Sequence, residues 1–421
     1  MRIYNFQHSK KYITLCSLLV SIWCCIPSLN DILHAFIPTS SSLMTILYVI
    51  VAVAFLFALL IGTANGENFK LPYAFVFTAY IAVLYGVTLA LDRSSMAPQY
   101  LFCYFLIPVL IITFPLFNDS IDVSKVVLFI SIIPSFGILF LNKIFEPSIY
   151  STISMGTSYN FLTPSLACLA FLFLYYRRIR RIWKVLYIPI IAINCIFMFN
   201  LIKYGSRGPI VCILFFLLFV FLFKHDDKVK KIRFSGLLGF AIILVLVLFL
   251  INFWSILNWL SDYFNSNFIN KMLKLYQEGN VLNNRNLEFE ASATYISNNP
   301  LFGYGLSSFS YYTGYVYPHN LFLQLLFDGG LILLFLVIIP IILFIVKLFK
   351  RCSYDDYAFF AYFFSVAVIK SFVSGNIWEN DKLWLFFAYC IVSISSMKAH
   401  RLDNNRVSSF SNGDMVFYTN R

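Results

Sequence analysis

GLLGFAIILVLVLFLINFW, residues 236–254, decides the fold class. It carries no charge over a length that, at about 1.5 Å per residue, spans a hydrocarbon core requiring about 20 apolar residues. Ser42 to Thr63 and Leu71 to Leu91 repeat the pattern, also without a charge. Across all 421 residues, 60% are hydrophobic and 12% charged. Soluble domains carry about 25% charged residues, so this chain could not cover a water-facing surface. The expectation is an all-α polytopic membrane protein.

The same criterion places spans at residues 12–29, 42–63, 71–91, 100–117, 125–142, 158–176, 183–202, 206–223, 235–254, 319–346, 356–374 and 383–397. The first has a signal-peptide outline behind Lys10-Lys11, but it is long and lacks a small-x-small site, so it reads as an uncleaved span. With both termini inside, the 31 basic residues favour the inner segments by more than two to one, as the positive-inside rule requires. The chain therefore divides into spans over 1–254, one large extracytoplasmic loop over 255–318, further spans over 319–397, and a polar cytoplasmic tail over 398–421.

A net charge of +12 would suggest nucleic acid in a soluble protein. Here the charge sits in short clusters between spans, such as Arg177-Arg178-Ile179-Arg180-Arg181 and Lys228-Val229-Lys230-Lys231. That is the arrangement of loops facing anionic headgroups, so membrane lipids are expected partners and nucleic acid is not. The nine cysteines lie almost wholly in apolar runs without C-x-x-C spacing. They read as small apolar fillers rather than as a disulfide framework or a zinc site. No nucleotide-binding glycine motif, HExxH or D-x-D is present, and Asp226-Asp227 and Asp355-Asp356 are adjacent pairs in inner loops. Neither a cofactor nor a metal is implied.

The long loop is the candidate functional region, since ordered loops of this length usually carry function. Within it, Asn286 to Asn298 reads as an amphipathic helix with Leu287, Phe289, Ala293 and Ile296 as apolar contacts, closed by Asn299-Pro300. Three residues on the outer side could carry chemistry. Arg207 opens a span in Gly205-Ser206-Arg207-Gly208-Pro209; the bland reading is an arginine snorkelling to the headgroups. Arg285 precedes the loop helix; the bland reading is a surface arginine paired with Glu288 or Glu290. His319, in Tyr317-Pro318-His319-Asn320, is either a proton carrier or an interfacial anchor. Lys370, Glu379 and Asp381 in the last outer loop read as solvated charges. Taken together, two guanidiniums that can grip a pyrophosphate and a histidine that can take a hydroxyl proton suit displacement of a lipid-linked pyrophosphate.

The stretch from Arg285 to Gly330 resembles the signature of the O-antigen ligase and polymerase superfamily. That signature is an arginine opening a helix, an N/D-P-L-x-G-x-G turn, and H-N-x-x-L-Q followed by glycine. Here it reads Arg285, then Asn299-Pro300-Leu301-Phe302-Gly303-Tyr304-Gly305, then His319-Asn320-Leu321-Phe322-Leu323-Gln324 with Gly329-Gly330. Ser206-Arg207-Gly208 matches the family's S-R-G upstream. An aromatic residue, often tryptophan, commonly follows the family's loop arginine, and Phe289 takes that place. The resemblance implies an undecaprenyl-pyrophosphate-linked oligosaccharide as substrate, and a metal-independent glycosyltransferase at the periplasmic face of a bacterial inner membrane. Arg207 and Arg285 would bind pyrophosphate, His319 would act on the acceptor hydroxyl, and Tyr317 and Asn320 would position sugars. The 48 phenylalanines and the scarcity of glycine lean towards a polymerase. A ligase transferring glycan to lipid A-core is the alternative, and a lipid-linked oligosaccharide flippase is the reading from another class. By resemblance, a separate chain-length regulator is a possible partner.

Overall fold

A chain in lipid must satisfy its backbone groups internally, which leaves helices as the spanning structure for runs of this length. A computed structural model describes residues 10–37, 49–54, 56–57, 71–117, 121–146, 155–204, 207–263, 267–280 and 285–395. Most of the expected span 42–63, Ser206 of the S-R-G turn and the tail over 398–421 lie outside the described residues. Among those described, seven helices are long and apolar enough to cross a membrane, and Tyr100–Thr113 and Arg207–Leu222 are shorter apolar helices. The protein is a polytopic all-α membrane protein.

In chain order the first helices are α1 (Lys10–Phe36), α2 (Leu71–Ala90), α3 (Pro98–Phe117), α4 (Val123–Ile132), α5 (Met155–Ala170), α6 (Arg181–Tyr204) and α7 (Arg207–Leu222). A hairpin of β1 (Phe223–Asp226) and β2 (Lys231–Phe234) leads into α8 (Leu237–Ile251). The long loop folds into α9 (Phe253–Tyr263), α10 (Asn267–Gln277), α11 (Arg285–Asn298) and α12 (Phe309–Thr313). Next come α13 (Leu321–Lys350) and α14 (Tyr354–Phe363). The α14 column continues through a π-helical turn, Phe364–Ile369, into Lys370–Val373. A last helix, α15, covers residues 381–395.

Small side chains let the inner helices approach closely, and their hydroxyls cross between helices. The Ser21 hydroxyl donates to the Val126 carbonyl at 3.1 Å, joining α1 to α4, and Ser28 donates to the Asn160 carbonyl at 2.8 Å, joining α1 to α5. Outside, Leu237, Ile251 and Phe75 are among the most exposed apolar side chains, where acyl chains rather than water meet them.

At one end of the bundle, residues expected as an irregular basic loop pair as β1 and β2. Asp226 accepts from the Lys228 and Val229 amides at 2.9 and 3.1 Å, closing the turn, and pairs with Arg233 at 3.1 Å. The Cys352 amide donates to the Lys230 carbonyl at 2.7 Å, tying the hairpin to the end of α13. Asp356 accepts from the Ser353 amide and forms a buried ion pair with Lys347 at 2.9 Å. Asp227 pairs with Arg178 at 3.5 Å and Asp355 accepts from the Tyr175 hydroxyl at 3.1 Å, so both members of each adjacent acidic pair have structural partners.

At the other end the loop helices cover the bundle. α11 occupies nearly the expected segment, and of the four expected apolar contacts Phe289 and Ile296 are half-buried while Leu287 and Ala293 are exposed. Arg285, Glu288, Phe289, Ser292, Tyr295 and Ile296 lie along the covered stripe at helical spacing. The reason is the surface beneath, which is aromatic and hydrogen-bonding rather than aliphatic. Tyr295 donates to the Tyr312 carbonyl at 2.9 Å, Tyr304 donates to the Tyr295 carbonyl at 3.0 Å, and the Tyr295 and Phe327 rings meet at 5.9 Å.

α13, expected as one continuous span, breaks at Gly330, whose φ of 64° and ψ of −163° are non-helical. The 299–305 turn fills the break. The Tyr304 amide donates to the Phe327 carbonyl at 2.8 Å, Gly305 to Asp328 at 2.9 Å, and Leu331 to Pro300 at 2.8 Å. A Cβ on Gly303 would lie 2.7 Å from the Gly330 nitrogen, and one on Gly330 would lie 2.2 Å from the Leu301 oxygen. The glycines of the turn and of the helix break face each other because two backbones meet there with no room for a side chain.

Candidate active site

α7 and α13 both start at the loop end and run towards the hairpin, so Arg207 and His319 come to the same end of the molecule. Arg207 is the first residue of α7, half-buried, with Nη1 3.7 Å from the Met272 sulfur on α10. Gly208 follows because Tyr159 of α5 packs against its backbone: a Cβ there would lie 1.5 Å from the tyrosine oxygen. The S-R-G glycine therefore sets a close helix contact that fixes where the neighbouring arginine starts.

Arg285 opens α11, half-buried. A cation at a helix N-terminus opposes the macrodipole, so local helix energetics do not explain it. Among the described residues it forms no ion pair, and Glu288 has a buried carboxylate oxygen without a hydrogen-bond partner. Burial raises the Glu288 pKa, and Arg285 opposes that rise. Arg285 interacts electrostatically with Arg207, Tyr159, Tyr317 and His319. It is the common neighbour of the group.

His319 sits in the left-handed region at φ 48°, with its ring 4.3 Å from that of Tyr317. A non-glycine residue held there is strained, and such strain concentrates at functional positions. Its Nδ1 is buried without a hydrogen-bond partner among the described residues. Burial, and then the charge of Arg285, push its pKa down to about 4, so the ring is neutral at ordinary pH. Burial raises the Tyr317 pKa; its hydroxyl is hydrogen-bonded to Ser374 and the Gly375 backbone. The Asn320 side-chain Oδ1 accepts from the Phe322 and Leu323 amides at 2.9 and 3.2 Å, capping α13. That leaves only its Nδ2 group for a ligand.

Arg207, Arg285, His319 and Tyr317 are thus brought together, with Asn320 beside them as a helix cap. The chain offered no signal for Tyr159 or Ser374, which reach the group from α5 and the turn after Val373. Gln324 and Asp328 hold that turn in place. Gln324 donates to Asn376 at 2.6 Å and accepts from the Ile377 amide at 3.1 Å, and Trp378 Nε1 donates to Asp328 at 2.6 Å. The last outer segment corrects the solvated-charge expectation. Asp381 is buried and paired with Lys382 at 2.7 Å, and Lys370 lies in a helix, partly buried. Only Glu379 is exposed, accepting from the Tyr104 hydroxyl at 2.6 Å. The apolar clefts lined by Phe129, Phe171 and Trp183, and by Leu248, Ile256 and Trp259, contain none of the site residues.

The bundle thus carries two arginines and a histidine at one end, beside a helical loop. Residues 195–338, which include Arg207, Arg285 and His319, match the O-antigen ligase family. That match supports the O-antigen ligase and polymerase superfamily for this part of the chain, a family whose members are glycosyltransferase-like enzymes. No curated protein and no solved structure matches the chain.

Proposed function

We propose that the protein is an O-antigen polymerase. It joins undecaprenyl-pyrophosphate-linked repeat units at the periplasmic face of the inner membrane, with both of its termini cytoplasmic. The observation that carries this reading is the gathering of Arg207, Arg285 and a neutral His319 at one end of the bundle. An acceptor sugar hydroxyl attacks the anomeric carbon of the donor. The bond from that carbon to the pyrophosphate oxygen breaks, and its electron pair stays on the leaving oxygen. His319, neutral through burial, takes the hydroxyl proton. Arg207 and Arg285 offset the charge on the departing pyrophosphate. They supply the positive charge a metal provides in other transferases, so the reaction as read needs none. In this reading Tyr317 and the Asn320 side-chain amide position the sugars flanking the bond, and a separate chain-length regulator acts from outside the site.

The flippase reading draws on the broken α13, because broken helices line transport cavities. Here the freed groups meet protein instead: loop amides take the Phe327 and Asp328 carbonyls and the Tyr80 hydroxyl takes that of Gly329 at 2.6 Å. That favours the transferase. The test is a gel of lipopolysaccharide from a strain lacking the protein. Core bearing a single repeat unit is expected. Core alone refutes the polymerase, and accumulated long lipid-linked glycan would then identify a ligase and its absence a flippase.

A further inference from the structure

Lys370 adds a third cation to this end of the molecule. Its Nζ lies 5.4 Å from the centre of the Tyr159 ring, the same tyrosine whose hydroxyl packs on Gly208 beside Arg207. Its Cε is 3.8 Å from the position a Cβ would take on Gly375, within the turn that binds Tyr317. Among the described residues the Lys370 ammonium forms neither a hydrogen bond nor an ion pair, and it lies over the tyrosine ring. Lys382, Asp381 and Glu379 act on Lys370 electrostatically, but Asp381 is paired with Lys382 and Glu379 accepts from Tyr104, so neither carboxylate forms an ion pair with it. A charge placed between membrane helices without a counter-ion is costly, and such residues mark ligand paths. Arg207, Arg285 and Lys370, from three separate elements, all interact with one tyrosine.

Resting on the glycosyl-transfer reading above, we propose that Lys370 binds the charge that appears on the pyrophosphate as it leaves. Before transfer the pyrophosphate is a diester with two negative charges, matched by Arg207 and Arg285. When the sugar carbon–oxygen bond breaks, the electron pair remains on the terminal phosphate, which gains a third charge. A third cation held unpaired beside the two arginines is complementary to that state rather than to the bound substrate. Lys370 therefore acts on turnover and product affinity more than on substrate affinity.

The test uses the full chain in detergent with two probes: farnesyl pyrophosphate, which carries the product charge, and its P2-methyl ester, which carries the substrate charge. Lys370→Met should weaken farnesyl pyrophosphate about thirtyfold, the scale of losing one desolvated charge partner, and leave the ester within about twofold. Lys370→Arg should restore it. Unchanged binding of both probes, or equal weakening of both, overturns the proposal. Arg285→Ala separates the two levels: if it weakens both probes while Lys370→Met weakens neither, only the lysine assignment fails. If neither variant changes binding, the reading of the whole site fails. Should the Lys370 variants not fold, wild-type protein decides by amine acylation mapped by mass spectrometry. Farnesyl pyrophosphate should protect Lys370 and the ester should not. Absence of that difference, or a Lys370 unreactive before any lipid is added, overturns the proposal.

Discussion

Replacing Gly330 with alanine tests whether the loop turn and the broken helix act as one unit. The residue sits at φ 64° and ψ −163°, backbone that only glycine enters readily; forcing an alanine there costs about 1–3 kcal/mol. The new Cβ would meet the Leu301 oxygen at 2.2 Å, and that atom is backbone, so no side-chain rotation relieves the clash. The turn must move away, giving up the Tyr304, Gly305 and Leu331 amide bonds to Phe327, Asp328 and Pro300. At about 0.5–1.5 kcal/mol net each, the combined penalty is about 3–7 kcal/mol. The consequence reaches Arg285 because α11 runs directly into the turn. A 14-residue helix is about 21 Å long, so a tilt of about 5° at its end carries Arg285 nearly 2 Å. Misplacement by about 1 Å can cost about a hundredfold in rate. Gly314→Ala is the control: its φ is 74°, but nothing lies within 4 Å of the added carbon, so only about 1–2 kcal/mol of local strain is expected. Thermal melting in detergent and glycan polymerisation by membranes read the two effects. Gly330→Ala with wild-type melting and activity would show that the turn does not hold the site together.

The site makes other demands on the chain. Because burial and Arg285 hold His319 near 4, kcat/KM should stay level from pH 8 down to about 5 and fall only as the ring gains a proton on further acidification. The groups facing it are Arg285 and Tyr317, neither of which supplies an anion to raise that value; an acidic limb centred near 6.5 in the free enzyme would contradict the burial argument. Arg285→Ala and His319→Ala should each abolish glycan transfer with membrane abundance unchanged, and full-length glycan from both would sink their assignment. Arg285→Lys keeps the charge but loses the paired N–H donors, so transfer should fall yet remain above the alanine level in the same assay. At the other end, Lys347→Met strands Asp356 without its partner, 2.9 Å away, and should cost about 3–5 kcal/mol in unfolding experiments. Adding Asp356→Asn should recover part of that loss; a purely additive double variant would mean that the pair is not coupled.

Membrane class and helix content were legible because they depend on run length and the absence of charge, properties a linear string carries whole. Gly236 to Trp254 needs no partner to declare itself. The gathering of Arg207, Arg285 and His319 could be anticipated by their chemistry and order, although the distances between them could not. What escaped was set by contacts between segments distant in the chain. Leu287 and Ala293 looked like the buried face of α11, yet the surface below is made of Tyr304, Tyr312 and Phe327, which selects Tyr295 and Ser292 instead. Lys370 looked solvated because it stood close to a loop, whereas its surroundings are set by Tyr159 and the turn at Gly375.

The glycines separate these two kinds of information most clearly. Gly303, Gly305 and Gly329-Gly330 read as punctuation in two unrelated segments, and each alone fits an ordinary turn or a weak point in a helix. Their spacing holds because the backbones touch: four amide bonds cross between the two segments, and Thr88 of α2 leaves no room for a side chain on Gly305, with its oxygen 2.4 Å from that carbon's place. The Thr88 hydroxyl also donates to the Leu306 carbonyl at 3.1 Å, so α2 clamps the same turn. Backbone hydrogen bonds into a helix break fix that turn, and the glycines are what the junction requires.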